Sequence, residues 1–261
     1  PATRSGPGPH HRTGPGEGVS QTLTGRSVVL SVLLGAHPAW ATVAELLRLT
    51  SDFGIREPTL RVTLTRMVGA GDLVRSDDGY RLSDRLLARQ RRQDEALHPV
   101  TRDWDGTWIT AVVTAVGTDA RTRANLRTAL QENRFGELRE GVWLRPDNLD
   151  SDVPEPARNR VRVLRARDDD PLGLARQLWD LPAWSKTGHR LLREMRAARG
   201  VPLQFTVAAA MVRHLLTDPV LPPGLLPADW PGDALRAAYA EFADLLTSRR
   251  DGVIVDSACR S

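Results

Sequence analysis

A chain of 261 residues with 41% apolar and 26% charged residues can bury a sizeable core, in one large unit or two to three small ones. Its apolar stretches, such as Val28 to Leu34 and Val207 to Val212, fall far short of the roughly 20 residues that span a bilayer, and its single cysteine, Cys259, rules out an internal disulfide or an all-cysteine metal site. The net charge of +4 is unevenly placed: residues 1–102 hold 14 Arg and no Lys against 10 acidic residues, while the remainder holds 22 basic and 22 acidic.

All the positive surplus thus lies where attraction to a polyanion would be useful. An arginine bias is also what codon composition produces, since 35 of the 36 basic residues are Arg, so location carries more weight than number. The opening residues lack the apolar core of a secretory signal, and a cytoplasmic location is expected.

Residues 1–22 are rich in Gly, Pro, His and Arg and read as a disordered tail. Gly14, Gly16 and Gly18 mimic a phosphate loop, but Pro15 interrupts them and no strand precedes them. The adjacent His10 and His11 read as incidental rather than as metal ligands.

From Thr24 a buried helix is expected through Val28, Leu30, Val32, Leu33 and Leu34, stopped by Pro38. A second helix starts after Thr42 as N-cap and turns Val43, Leu46, Leu47 and Leu49 inward, ending before Gly54. A third begins near Glu57, accepts Pro58 in its first turn, and carries Leu60, Leu64, Met67 and Val68 as one stripe until Gly69 and Gly71. Opposite that stripe lie Pro58, Thr59, Val62, Thr65 and Arg66, flanked by Arg61 and Thr63. Small residues, hydroxyls and Arg suit a major-groove reader, although an ordinary solvated helix face looks much the same.

A hairpin follows, with Leu73 to Arg75 and Tyr80 to Leu82 flanking a turn at Ser76 to Gly79. Helix, helix, turn, helix and hairpin make a winged helix-turn-helix over residues 23–100. Candidate DNA contacts are Arg56, Thr59, Arg61, Val62, Thr63, Thr65 and Arg66, with Arg75 and Arg81 beside an acidic tip at Asp77 and Asp78. The next helix, with Arg85, Arg89, Arg91 and Arg92, reads equally as a phosphate contact or a solvated linker.

Over residues 101–167 a strand at Trp108 to Val116, a helix at Ala120 to Glu132, and strands at Gly141 to Leu144 and Val161 to Arg165 predict an α+β unit of the split βαβ, ferredoxin-like type. Core is the default reading of its tryptophans, an aromatic ligand pocket the sharper one. Residues 168–248 read as a mainly helical domain, with helices at Leu172 to Trp179, Thr187 to Ala198, Phe205 to Leu216 and Ala234 to Leu246, before a flexible tail over 249–261. His189 and His214 are isolated, and no catalytic signature or cofactor motif is present. A metal-dependent nuclease on the central unit would want an acidic residue at the end of its first strand, where Val116, Gly117 and Thr118 stand before Asp119, itself placed as a helix N-cap.

Several segments together resemble the PaaX family of regulators. The resemblance rests on Glu57, Leu60, Arg61, Leu64, Arg66, Val68, Gly71 and Leu73, on the run Trp104 to Trp108, and on Gly141 to Leu144 with Pro146. It continues in Leu178 to Leu181, in Asp218-Pro219 and in Asp229 to Gly232. The resemblance implies a homodimeric repressor that binds double-stranded DNA, a ferredoxin-like middle domain similar to a small CRISPR-associated nuclease, and release by a metabolite such as an aryl-CoA thioester. A nuclease and an effector-independent activator are the competing functional readings. No ligand-contacting residue is assigned, and Trp179, Trp184 and Arg213 are the positions from which a pocket search would start.

Overall fold

The computed structural model describes residues 24–115, 119–151 and 153–252, so the expected tail over 1–22 and most of that over 249–261 lie outside the described residues. Thr24 caps α1 (Gly25–Gly35) by accepting from the Ser27 amide, and α1 buries Val28, Val29, Leu30, Val32, Leu33 and Leu34. A three-residue strand, β1 (Trp40–Thr42), separates it from α2 (Val43–Ser51). Thr42 and Glu45 form a reciprocal capping box at the start of α2, which satisfies two of the amides a helix leaves unpaired. Then come α3 (Glu57–Gly69), the hairpin strands β2 (Leu73–Arg75) and β3 (Gly79–Leu82), and α4 (Asp84–Leu97).

The strand β1 was not expected from the sequence. At three residues it is too short to show alternation, yet it pairs antiparallel with β3 and gives the wing sheet the order β1-β3-β2.

The central unit contains β4 (Thr107–Val113), α5 (Ala120–Glu132), β5 (Gly136–Arg139), β6 (Val142–Pro146), the single turn α6 (Glu155–Arg158) and β7 (Val161–Arg167). Its strands are all antiparallel in the order β5-β6-β4-β7, the ferredoxin-like arrangement. The alternation of side chains along β4 and β6 divides the core in two. Ile109, Ala111 and Trp143 meet Leu126 and Leu130 of α5 on one face. Trp108 and Leu144 meet C-terminal residues, Leu174, Ala175, Leu221 and Leu225 among them, on the other. The first strand ends at Val113, short of its predicted span, whose end at Val116 lies outside the described residues, and β5, broken by a bulge between Glu137 and Arg139, was missed.

The C-terminal part consists of α7 (Pro171–Leu178), α8 (Leu181–Ala197), α9 (Val201–Leu215), a 3-10 turn (Pro223–Leu225) and α10 (Gly232–Arg250). The last helix runs beyond the expected boundary at 248, held there by an Arg249–Asp52 ion pair of 2.6 Å and by the Arg48 guanidinium donating to the Arg250 carbonyl at 2.7 Å. Phe205 and Ala208 of α9 and Phe242 of α10 are buried in the same core as the apolar stripes of α1, α2 and α3. The winged helix-turn-helix therefore does not close its own core.

Candidate nucleic-acid interface

The third helix, α3, owes its orientation to Leu60, Leu64 and Met67, all at most 1% exposed, which occur at the i, i+4, i+7 spacing of one helical face. Their burial turns the opposite side to solvent. Thr59, Arg61, Val62, Thr65 and Arg66 are all exposed, and Val62 is an apolar side chain left 50% exposed. The hydroxyls of Thr63 and Thr65 donate to the carbonyls of Thr59 and Arg61, four residues earlier, and each oxygen keeps a lone pair for a further donor.

Thr63 differs from the others. It is half-buried against α1, where a Cβ added at Gly25 would stand 3.2 Å from its Oγ1, so this residue belongs to the inter-helix seam as much as to the outer face.

The cations form two groups. Arg56, which immediately precedes α3, Arg66 near its end and Arg75 on β2 are exposed, and their side chains make no hydrogen bond or ion pair among the described residues. Arg61 is paired with Glu57 one turn before it at 2.7 Å, and Arg81 donates to the Leu82 carbonyl at 3.3 Å with Asp84 at 3.7 Å. Exposed pairs of this kind contribute about 0–1 kcal/mol, so a phosphate can take Arg61 from Glu57 at little cost.

Three features that sequence reasoning passed over hold this face in place. The buried carboxylate of Asp72, between α3 and β2, receives Arg26 of α1 at 2.7 Å and Arg85 of α4 at 2.8 Å. The Trp40 indole donates to Ser76 Oγ at 3.0 Å and anchors the hairpin turn from outside it. Gly79 lies so close to β1 that an added Cβ would stand 2.4 Å from the Ala41 carbonyl oxygen. The glycine was visible as a turn residue, but its need for close approach depends on β1, which no local pattern announced.

Elsewhere, Asp119 caps α5 by accepting from the Thr122 amide at 2.8 Å, and these hydrogen bonds hold its carboxyl below the usual carboxylate range. Among the described residues no cluster of three or more His, Cys, Asp or Glu is arranged to hold a metal ion. Trp184 is stacked between His214 and Trp230 at 4.1 and 4.2 Å. His214 is half-buried there, and desolvation pulls its pKa below the usual 6.5. Trp179 packs over Trp108 in the central core, and Arg213 lies on α9. No helix among the described residues is long and apolar enough to cross a membrane.

Comparison with known proteins gives three matches to family models in chain order. They are a PaaX-like protein over residues 24–86, the PaaX protein central Cas2-like domain over 101–167, and the PaaX-like protein C-terminal domain over 181–252. The chain is 25% identical over 224 residues to the transcriptional repressor PaaX of Escherichia coli (strain K12), covering 74% of this chain and 70% of that protein. An uncharacterized protein from Mycobacterium tuberculosis, of known structure, is 69% identical, superposes with a TM-score of 0.80 and covers 88% of this chain and 99% of its own. With all three parts matched in the same order as they fold, the chain belongs to the PaaX family.

Proposed function

We propose that this protein is a DNA-binding transcriptional regulator, and that it represses by inserting α3 into the major groove. The observation that carries this reading is the outer face of α3 and the wing, where the side chains of Arg56, Arg66 and Arg75, unpaired among the described residues, surround exposed Thr59, Val62 and Thr65. Arg66 is suited to grip a guanine edge with two hydrogen bonds, Val62 to meet a thymine methyl, and Arg56 and Arg75 to hold flanking phosphates. The similarity to a protein named as a transcriptional repressor supports the sign of regulation.

A homodimer would present two such helices about 34 Å apart, one turn of DNA, on a partly palindromic site. A small metabolite, an aryl-CoA thioester being one such class, would relieve repression by favouring a geometry that no longer matches that spacing. The test is fluorescence anisotropy on DNA from upstream of the protein's own gene against scrambled duplex at one fixed salt, with and without thioester. Specific binding released by the thioester is expected. Equal weak binding to both duplexes would remove the regulator reading.

A further inference from the structure

Asp72 stands at the base of the wing, between α3 and β2, with its side chain only 2% exposed. Its backbone is fixed on both sides, the amide donating to the Met67 carbonyl at 2.9 Å and the carbonyl accepting from the Ser83 amide at 3.0 Å. Its two carboxylate oxygens are taken separately. Oδ2 receives Arg26 through Nε at 2.9 Å and Nη2 at 2.7 Å, and Oδ1 receives Arg85 through Nη2 at 2.8 Å. Neither guanidinium has another partner among the described residues, and the two side chains are 57% and 70% exposed.

A carboxylate taken out of water is costly, and a buried ion pair stabilises a fold little more than apolar packing of the same volume. What Asp72 supplies is placement. It holds two long side chains next to each other with the rest of each N–H fork open to water, which leaves a pair of cations and a surplus of one positive charge.

The pair stands where a DNA backbone would pass. The start of α1 lies against α3, since a Cβ added at Gly25 would be 3.2 Å from Thr63 Oγ1 and 3.8 Å from Ile55 Cδ1, so Arg26 crosses to the base of the wing along the flank of α3. A helix in a major groove about 12 Å wide has a sugar-phosphate strand on each side, and cations on its flank meet phosphates instead of base edges. Asp77 and Asp78, exposed at the wing tip, repel phosphate and leave that contact to the base of the wing. Arg26 and Arg85 each occupy the first turn of a helix, α1 and α4, whose positive dipole end adds to the attraction. Asp84, also in the first turn of α4, is drawn to Arg81 at 3.7 Å.

We propose that Arg26 and Arg85 form a clamp for the phosphate backbone of double-stranded DNA, and that Asp72 is a positioning residue of the interface, acting through them without touching DNA. The proposal rests on the DNA-binding reading above and extends its footprint from α3 and the hairpin to the starts of α1 and α4.

Full-length protein is titrated by fluorescence anisotropy onto DNA from upstream of its own gene and onto scrambled duplex, from about 50 to 200 mM salt. The variants are Arg26→Gln, Arg85→Gln and Asp72→Asn, with Arg121→Gln on α5 removing the same charge outside the winged helix. Each phosphate contact releases about one counterion, so Arg26→Gln and Arg85→Gln should each weaken both duplexes by the same factor, and that factor should shrink about threefold across this range of salt. Arg121→Gln should leave the salt dependence as it is. A partly unfolded variant loses affinity by the same factor at every salt concentration, so the slope separates a phosphate contact from a structural brace. Asp72→Asn, assayed below its melting temperature, removes an anion beside the DNA and by charge alone would tighten binding; weaker binding to both duplexes is expected, because the two guanidiniums are no longer held. A salt slope unchanged by either Arg variant, or Asp72→Asn that binds as tightly as wild type or more so, overturns the clamp. Wild-type protein that binds both duplexes equally fails the regulator reading, and the slopes on scrambled duplex still decide the clamp, while absence of binding to either duplex overturns both.

Discussion

At the scale of single residues, the candidate interface depends on which cations are already engaged. The Arg66 side chain has no hydrogen-bond or ion-pair partner among the described residues, so its replacement by Ala tests the proposed DNA contact without disturbing the fold. Arg66→Ala is expected to cost about 1–3 kcal/mol on the specific site and much less on random duplex. An equal loss on both would make it a phosphate contact. Asp72 is the reverse case, a carboxylate only 2% exposed whose two arginines stand largely in water. Asp72→Asn should lower unfolding stability by about 1–3 kcal/mol, read by urea denaturation, because it weakens a charge-assisted brace across three elements. His214 supplies a pH dependence. Its folded pKa is depressed by desolvation, so the unfolded chain takes up the proton first as pH falls below about 6.5. The stability that the neutral ring contributes is complete above that pH and is lost below it. A melting temperature that declines from pH 7.5 to 5.5 should decline less steeply in His214→Gln.

At the scale of elements, the wing shows how a short hairpin is kept in register. Its turn closes through the Ser76 amide donating to the Gly79 carbonyl at 2.9 Å, and β1 pairs Thr42 with Gly79 on the other side of the ribbon. Gly79→Ala should cost about 1–3 kcal/mol, because the obstructing atom is a backbone carbonyl that cannot rotate away. Circular dichroism in denaturant measures this, and an unchanged midpoint would show that β1 yields instead. The N-terminal helices and α5 were legible in the sequence because apolar spacing and caps agree, with Thr24, Thr42 and Asp119 at the N-cap positions their residue types suggest, whereas α8 and α9 begin at Leu181 and Val201, ahead of the expected Thr187 and Phe205, with a proline in each first turn. The strands β1 and β5 were not legible, since three or four residues hold no periodicity, β1 pairs with a strand distant in sequence, and β5, although it pairs with the strand that follows it, is broken by a bulge. The exposure of Thr59, Val62, Thr65 and Arg66 followed from the wheel alone. The half-burial of Thr63 did not, because it depends on how closely Gly25 lets α1 approach.

At the scale of the whole molecule, domain boundaries drawn from the chain do not coincide with boundaries of packing. Phe242 is 6% exposed and belongs to the same core as Leu33 and Leu46, and its ring meets Phe205 edge-on at 6.3 Å between centroids. Phe242→Ala should cost about 3–5 kcal/mol and lower the unfolding of the DNA-binding part and of the C-terminal helices together. Coincident transitions by far-ultraviolet dichroism and tryptophan fluorescence would show this, and two separated transitions would show that each part is stable alone. No local signal in the sequence distinguishes an apolar residue that completes a neighbour's core from one that completes its own, which is why this sharing was invisible before folding.

The shared core also sets a timetable for synthesis. The first helices leave the ribosome before the residues that complete their core, Phe205 and Ala208 of α9 and last of all Phe242 of α10. At about 5–20 residues per second, roughly seven to thirty seconds separate the completion of α4 from the arrival of Phe242. For that interval the nascent chain carries an exposed apolar surface in its own DNA-binding part, so chaperone binding should map to the α1 and α2 surface and should end when α10 emerges.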